Sequence, residues 1–280
     1  MRRIFIFGSN GMLGWITAHY LNLNGKQVVT LSRKDFNVLS DTTESFEKKY
    51  KIKKGDVLIN AIAVTSHDSK NQTKSIFNKV NTEFPKTLDE LSGRTGCTFV
   101  HITTDGAYKS DIGGYWESSP KDGFGIYAKT KIAGENLKHA VVLRISIIGI
   151  EQNRSRHLIS WILKQEGKSI NGFTNHTWNG MTTLQFAKIV LYFLGKGFPK
   201  PGLYHIFSKR IVTKYELVEM IVNIFDLDIK LNLHQTEAPV LRHLATEKPL
   251  CKKLQIPDIL DQLVELKKYC KTQKIIWKST

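Results

Sequence analysis

Tyr127 and Lys131 stand four residues apart in Tyr127-Ala128-Lys129-Thr130-Lys131, a spacing that puts both side chains on one face of a helix. A lysine ammonium beside a phenol favours the tyrosinate, drawing its pKa from about 10 towards the range useful for proton transfer near neutrality. Tyr127 is therefore a candidate proton donor to a carbonyl undergoing reduction. Alone, Y-x-x-x-K arises often by chance. Here a strand-like run, Thr98 to Thr103, ends in Thr104-Asp105 upstream of it, and the chain opens with a strand followed by Gly8-Ser9-Asn10-Gly11-Met12-Leu13-Gly14.

Gly8, Gly11 and Gly14 make a G-x-x-G-x-x-G loop between a strand and a helix. Glycine permits the tight turn, and the backbone amides from Asn10 and Gly11 to Met12 and Leu13 lie where a helix start can cradle a pyrophosphate. The second strand ends in Leu31-Ser32-Arg33-Lys34. Where an acid would hold a ribose 2′-hydroxyl, this chain has cations, and Arg33 suits a 2′-phosphate. That points to NADPH, with NADH as the alternative. The third strand ends in Asn60-Ala61-Ile62-Ala63, whose small residues let a cofactor lie close.

The elements that must position these residues alternate. Strands are expected at Ile4 to Phe7, Gln27 to Leu31, Asp56 to Asn60, Thr98 to Thr103 and Val141 to Ile145. Helices are expected over Met12 to Leu23, Thr42 to Tyr50, Thr73 to Leu91 and Tyr127 to Leu137. Such alternation argues for an α/β fold, a Rossmann-like doubly wound parallel sheet. After residue 150 the pattern loosens: helices near His157 to Gln165, Leu184 to Leu194 and Lys214 to Phe225, and a short strand from Leu203 to Phe207. The expected division is a dinucleotide-binding domain over 1–150 and a small substrate-binding lobe over 151–280, with about 180–207 returning to the core.

The net charge of +16 is the one unusual bulk property. The lysines and arginines are scattered, with no basic helix interleaved with aromatics and no zinc-finger or helix-turn-helix pattern, so no nucleic-acid partner is expected. A basic surface also attracts phosphorylated metabolites. No apolar run reaches the ~20 residues that span a bilayer, and no membrane insertion is expected. Cys97, Cys251 and Cys270 are odd in number and lack metal-ligand spacing, which suggests reduced thiols and a cytoplasmic location. No His, Cys, Asp or Glu grouping suggests a metal.

Taken together, these segments resemble the extended short-chain dehydrogenase/reductases, and most closely the dTDP-4-dehydrorhamnose reductase branch. The resemblance rests on GSNGMLG, Arg33 with Asp35, NAIAVT (Asn60 to Thr65), Asn81, Thr103-Thr104-Asp105, YAKTKIAGE (Tyr127 to Glu135), Val142-Leu143-Arg144 before Gly149, and Gly202-Leu203-Tyr204-His205. It implies that Thr104 hydrogen-bonds the substrate carbonyl and that Tyr127 gives the proton. It further implies that Lys131 binds the nicotinamide ribose, that Asn81 organises a proton relay, and that Asp105 touches the sugar. The implied partner is a nucleotide-diphosphate sugar, and a homodimer is left open.

Two positions depart from the branch. TTDGAY stands where it usually reads STDYVF, so Gly106 replaces an aromatic-sized residue, and Arg144-Ile145-Ser146-Ile147 stands where R-T-S-W is common. In the second half, Asn175-His176-Thr177-Trp178-Asn179-Gly180 resembles a cleft-lining segment, with Trp178 placed to stack on a base or sugar or simply to fill a loop core. His67-Asp68 resembles a substrate-side loop, and Arg154, Arg156 and His157 lie where relatives reach the diphosphate. The expected activity is NADPH-dependent reduction of the 4-keto group of a 6-deoxy nucleotide sugar. One alternative is a non-catalytic subunit resembling the methionine adenosyltransferase beta subunit, which would not need Thr104, Tyr127 and Lys131 together. Another is an epimerase; a dehydratase is disfavoured because Asp105 is followed by Gly106 rather than Glu.

Overall fold

The computed structural model describes residues 2–65, 72–152 and 156–275. In chain order the elements begin β1 (Arg3–Phe7), α1 (Met12–Leu23), β2 (Gln27–Leu31), α2 (Thr43–Tyr50), β3 (Val57–Asn60) and α3 (Lys74–Asn78). A π-helical turn (Lys79–Glu83) leads directly into α4 (Phe84–Thr95), then β4 (Thr98–Thr104), a 3-10 turn (Asp105–Ala107), α5 (Gly125–Ala133) and β5 (Ala140–Ile145). There follow β6 (Ile147–Ile148), α6 (Leu158–Ile162), β7 (Ser169–Phe173), β8 (His176–Trp178), β9 (Met181–Thr182), α7 (Thr183–Lys196) and β10 (Gly202–His205). The chain closes with β11 (Val212–Thr213), α8 (Lys214–Phe225), β12 (Lys230–His234), β13 (Val240–Leu241), α9 (Pro249–Lys253) and α10 (Ile259–Thr272).

Two compact units share these elements. The first comprises Met1–Lys109, Pro120–Arg144 and Ala187–Tyr204; the second comprises Ser110–Ser119, Ile145–Phe186 and His205–Thr280.

The first unit is built on a six-stranded sheet of order β10-β5-β4-β3-β1-β2. β1 pairs in parallel with β2 and β3, and β3 with β4. The doubly wound expectation is met. β3 and β5 are buried along their whole length, as a strand must be when helices cover both faces of its sheet. One face closes over an aromatic cluster in which Phe7 meets Phe36, Phe46 and Phe84 at centroid distances of 5.0–5.4 Å. The three partners come from separate elements or turns, so a tilted contact from Phe46 and an edge-on one from Phe84 fix α2 and α4 against β1. The chain leaves β1 for β2 on one side and returns to β3 on the other. That reversal is the switch point at which open α/β sheets bind ligands.

The helix expected over Thr73 to Leu91 is interrupted by the π turn, and the reason lies in Pro85. Proline has no N–H to give the carbonyl four residues back and its ring crowds that carbonyl; here the carbonyl belongs to Asn81. The turn widens, and Phe84 N–H bonds Lys79 O five residues back instead. α5 stops at Ala133 rather than Leu137 because Gly134 caps it.

The second unit contains a three-stranded sheet of order β11-β8-β13 and the two-stranded pairs β12-β7 and β6-β9. β8 occupies the segment read as a loop. Strands of two or three residues carry too little alternation to be seen in sequence. α8 starts with a capping box, Thr213 accepting from Glu216 N while the Glu216 carboxylate accepts from Thr213 N.

Candidate active site

The glycine loop closes on itself without room for side chains. Gly8 has φ +80, and an added Cβ would lie 2.9 Å from Ile62 Cγ1 and 3.1 Å from the Ala61 carbonyl carbon. A Cβ on Gly14 would lie 2.2 Å from Gly8 O. The first turn of α1 and the loop after β3 therefore both pack on the loop backbone, and only glycine permits it. Gly11 caps α1 with no side-chain hydrogen bond, and the first turn carries no acid. The opening amides of α1 thus face a position suited to an anion. A dinucleotide fits this cradle.

Beside it, Ser32 donates its amide (2.9 Å) and hydroxyl (2.6 Å) to Asp35 Oδ2. These bonds hold the Asp35 carboxyl below its ordinary pKa. Asp35 is thereby engaged by its own turn, and Arg33 projects exposed after the end of β2. Asn60 is fully buried: its Oδ1 accepts from Ile62 N at 3.0 Å, and its Nδ2 lies 3.3 Å from His101 Nδ1. It shapes the Ala61–Ala63 loop. Ala61 is half-buried and Ala63 exposed at that loop.

Thr104 ends β4 and caps the following 3-10 turn, its Oγ1 accepting from Gly106 N at 3.1 Å and donating to Asp105 Oδ1 at 3.2 Å. Gly106 marks where the expected residues meet. A Cβ there would lie 3.3 Å from Thr104 Oγ1 and 3.8 Å from Tyr127 Cε1. The Thr104 hydroxyl and the Tyr127 ring, both half-buried, converge on that glycine. One turn further along α5, Lys131 is 2% exposed and its Nζ donates to Ile102 O at 2.8 Å. Burial lowers the Lys131 pKa to about 8, and the charge of Glu135 opposes that fall. Asp105 is buried beside Thr104.

Asn81 sits in the π turn, fully buried, with its amide bracketing the backbone of Val64. Its Oδ1 accepts from Val64 N at 3.0 Å, and its Nδ2 donates to Val64 O at 2.9 Å and Thr130 Oγ1 at 3.1 Å. Thr82 Oγ1 donates to Thr130 O at 2.8 Å. The π turn thus ties the loop after β3 to α5, between Tyr127 and Lys131 in sequence. Gly134 allows the approach: a Cβ there would lie 2.1 Å from Asn81 O.

Sequence reasoning passed over a buried ion cluster beneath the site. Glu135 accepts from Thr103 Oγ1, Lys121 and Arg144, and Arg144 also reaches Tyr108 OH. Glu135 at four residues from Lys131 was the visible signal; its partners lie elsewhere in the chain.

In the second unit, Trp178 is 6% exposed, and its Nε1 donates to Ser146 Oγ at 2.7 Å. A Cβ at Gly180 would lie 2.3 Å from its ring, so the indole is a packed side chain of that unit. Asn179 is buried and bridges Leu244, accepting from its amide and donating to its carbonyl, both at 2.8 Å. The backbone amides of Arg156 and His157 donate to Glu151 Oε2 at 2.7 and 2.8 Å, so a carboxylate already occupies the start of α6. His67, Asp68 and Arg154 lie outside the described residues. Among the described residues no group of three or more His, Cys, Asp or Glu could hold a metal, and no helix is long and apolar enough to cross a membrane.

The parallel sheet, its switch point and the glycine cradle define a doubly wound, Rossmann-class protein. More narrowly, the chain belongs to the RmlD substrate binding domain family, whose model matches residues 1–247. Among curated relatives, a dTDP-4-dehydrorhamnose reductase of Mycobacterium tuberculosis is 28% identical over 138 residues, covering 48% of this chain and 44% of that protein. The chain thus spans about half the length of the curated relatives of that name. A probable low-salt glycan biosynthesis reductase of Haloferax volcanii is 23% identical over 269 residues, 88% of each. The dTDP-4-dehydrorhamnose reductase of Bacillus anthracis, solved in complex with NADP, superimposes with a TM-score of 0.82 at 17% identity, covering 96% of this chain and 99% of that one. At that identity the likeness speaks for the fold.

Proposed function

We propose that the chain is an NADPH-dependent oxidoreductase that reduces the 4-keto group of a 6-deoxy sugar carried on a nucleoside diphosphate, in deoxysugar or polysaccharide biosynthesis. The observation that carries the reading is the convergence of the Thr104 hydroxyl and the Tyr127 ring on Gly106, with Lys131 one turn behind on α5. The reductase names borne by family relatives support it.

Bound NADPH supplies the hydride. The amides after Gly11 would hold its pyrophosphate and Arg33 its 2′-phosphate, with the small residues Ala61 and Ala63 leaving it room. Thr104 orients the substrate carbonyl oxygen, and Tyr127 gives its phenolic proton to that oxygen as charge develops there. Lys131, held by Ile102 O, binds the nicotinamide ribose and stabilises the tyrosinate left behind. Asp105 is assigned to the sugar side, next to Thr104.

A panel of dTDP- and UDP-4-keto sugars with nicotinamide-deuterated NADPH tests the reading. Deuterium at sugar C4 of one panel member is expected. Tight NADPH binding with no transfer to any member would instead favour the non-catalytic, regulatory alternative.

A further inference from the structure

Glu135 holds a buried carboxylate that the chemistry above does not use. It follows Lys131 by four residues, just past the end of α5, where its amide bonds Ile132 O at 3.1 Å. Its side chain is 1% exposed and collects donors from three directions. Thr103 Oγ1 donates at 2.7 Å, Arg144 Nε at 3.2 Å with Arg144 Nη2 alongside, and Lys121 Nζ lies 3.0 Å away. Arg144 is itself fully buried, and its other arm donates to Tyr108 OH. Residues 103 and 108 bracket the turn that carries Thr104 and Gly106, so one carboxylate connects both sides of that turn to the helix bearing Tyr127 and Lys131.

Burial alone would push the Glu135 pKa up. The charge and hydrogen bonds of Arg144, then Lys121 and Thr103, outweigh burial and hold it below the ordinary value. Glu135 is therefore ionised at neutral pH. The titratable groups that interact with Lys131 are Glu135, four residues on, and His101 on β4, while Arg144 on β5 and Lys121 before α5 meet Glu135 itself. His101 is fully buried and held neutral, first by burial and then by Lys131 itself. Of these groups, Glu135 bears the negative charge that favours the Lys131 ammonium.

We propose that Glu135 is a positioning residue of this site: its buried carboxylate fixes the end of β4 to α5 and supplies the negative charge facing Lys131. The role as it bears on catalysis rests on the reductase reading of Thr104, Tyr127 and Lys131. The cluster is a two-sided device. Arg144 keeps Glu135 ionised where a carboxylate would otherwise take up a proton, and Glu135 in turn keeps Lys131 charged where an amine would otherwise lose one. Without the carboxylate, Arg144 and Lys131 would each remain buried cations deprived of a negative charge.

The test is the titration of the lysine side-chain nitrogens by nuclear magnetic resonance on the full-length protein, with the Lys131 signal assigned by its loss in Lys131→Arg. In Glu135→Gln the Lys131 midpoint is expected to fall by about one pH unit. In Glu135→Asp, which keeps the charge, it stays close to wild type. A folded Glu135→Gln protein whose Lys131 midpoint is unchanged contradicts the proposal. If Glu135→Gln alone does not fold, the paired Glu135→Gln/Arg144→Met variant, which removes the carboxylate together with its buried cation, decides: a fall in the Lys131 midpoint supports the role and no fall overturns it. The readout needs no turnover. Shifts as expected in a chain that reduces no 4-keto sugar would sink the reductase reading and leave the positioning role standing, whereas an active enzyme without the shifts would do the opposite.

Discussion

At the scale of single residues, the role proposed for Lys131 comes with a cost in stability. Its pKa of about 8 lies below the ordinary 10.5, chiefly through burial, so the unfolded chain binds that proton more tightly than the folded one. Stability therefore rises with pH between about 8 and 10.5, and the full penalty, on the order of 3 kcal/mol, stands below pH 8. Lys131→Met is expected to raise the urea midpoint at pH 7 and flatten this rise, while reductase activity collapses; a lowered midpoint would show that the ammonium stabilises the apo fold. Arg33 makes a separate prediction. Arg33→Ala should weaken NADPH binding about tenfold, the loss of one charge-assisted bond, and leave NADH binding unchanged by calorimetry. These residues were legible because their signal is local: Tyr127 and Lys131 share a helix face, and the glycines follow a strand. Glu135 and Arg144 stood in segments already singled out, but their pairing was not legible, because a buried ion pair has no spacing rule and declares itself only through its partners.

At the scale of elements, the π turn is the joint between the loop after β3 and α5. Asn81→Ala would leave Val64 N–H and C=O without their bracket and should cost about 2–3 kcal/mol. Cofactor affinity should fall with it, since the Ala61–Val64 segment loses its anchor. Pro85→Ala returns a donor to the Asn81 carbonyl and removes the crowding that widens the turn. Its stability should change little while kcat drops, as measured by denaturant melts beside steady-state rates; unchanged kcat would detach the π turn from function. Helix over this stretch was readable from periodicity, and Pro85 was in plain view. What the sequence alone did not reveal is that the Asn81 side chain spans to Val64 and Thr130. The short strands of the second unit escaped for a different reason: β8, β9, β11 and β13 are set by pairing across long separations, not by their own residues.

At the scale of the whole molecule, the sheet order and its switch point account for where a dinucleotide would lie, and the net charge of +16 bears on how an anionic substrate would reach it. Electrostatic attraction of this kind is screened by salt. Raising ionic strength should therefore reduce kcat/KM for a nucleotide sugar several-fold while kcat changes little; an equal fall in both would place the salt effect on the chemical step. The most direct test of the account is the consumption of NADPH, followed by nicotinamide absorbance, with a dTDP-4-keto-6-deoxyhexose as substrate and wild type compared with Tyr127→Phe. Turnover by the wild type, falling by about a hundredfold or more in Tyr127→Phe with NADPH affinity retained, is the predicted result. Equal rates for the two proteins would contradict the assignment of Tyr127 as proton donor.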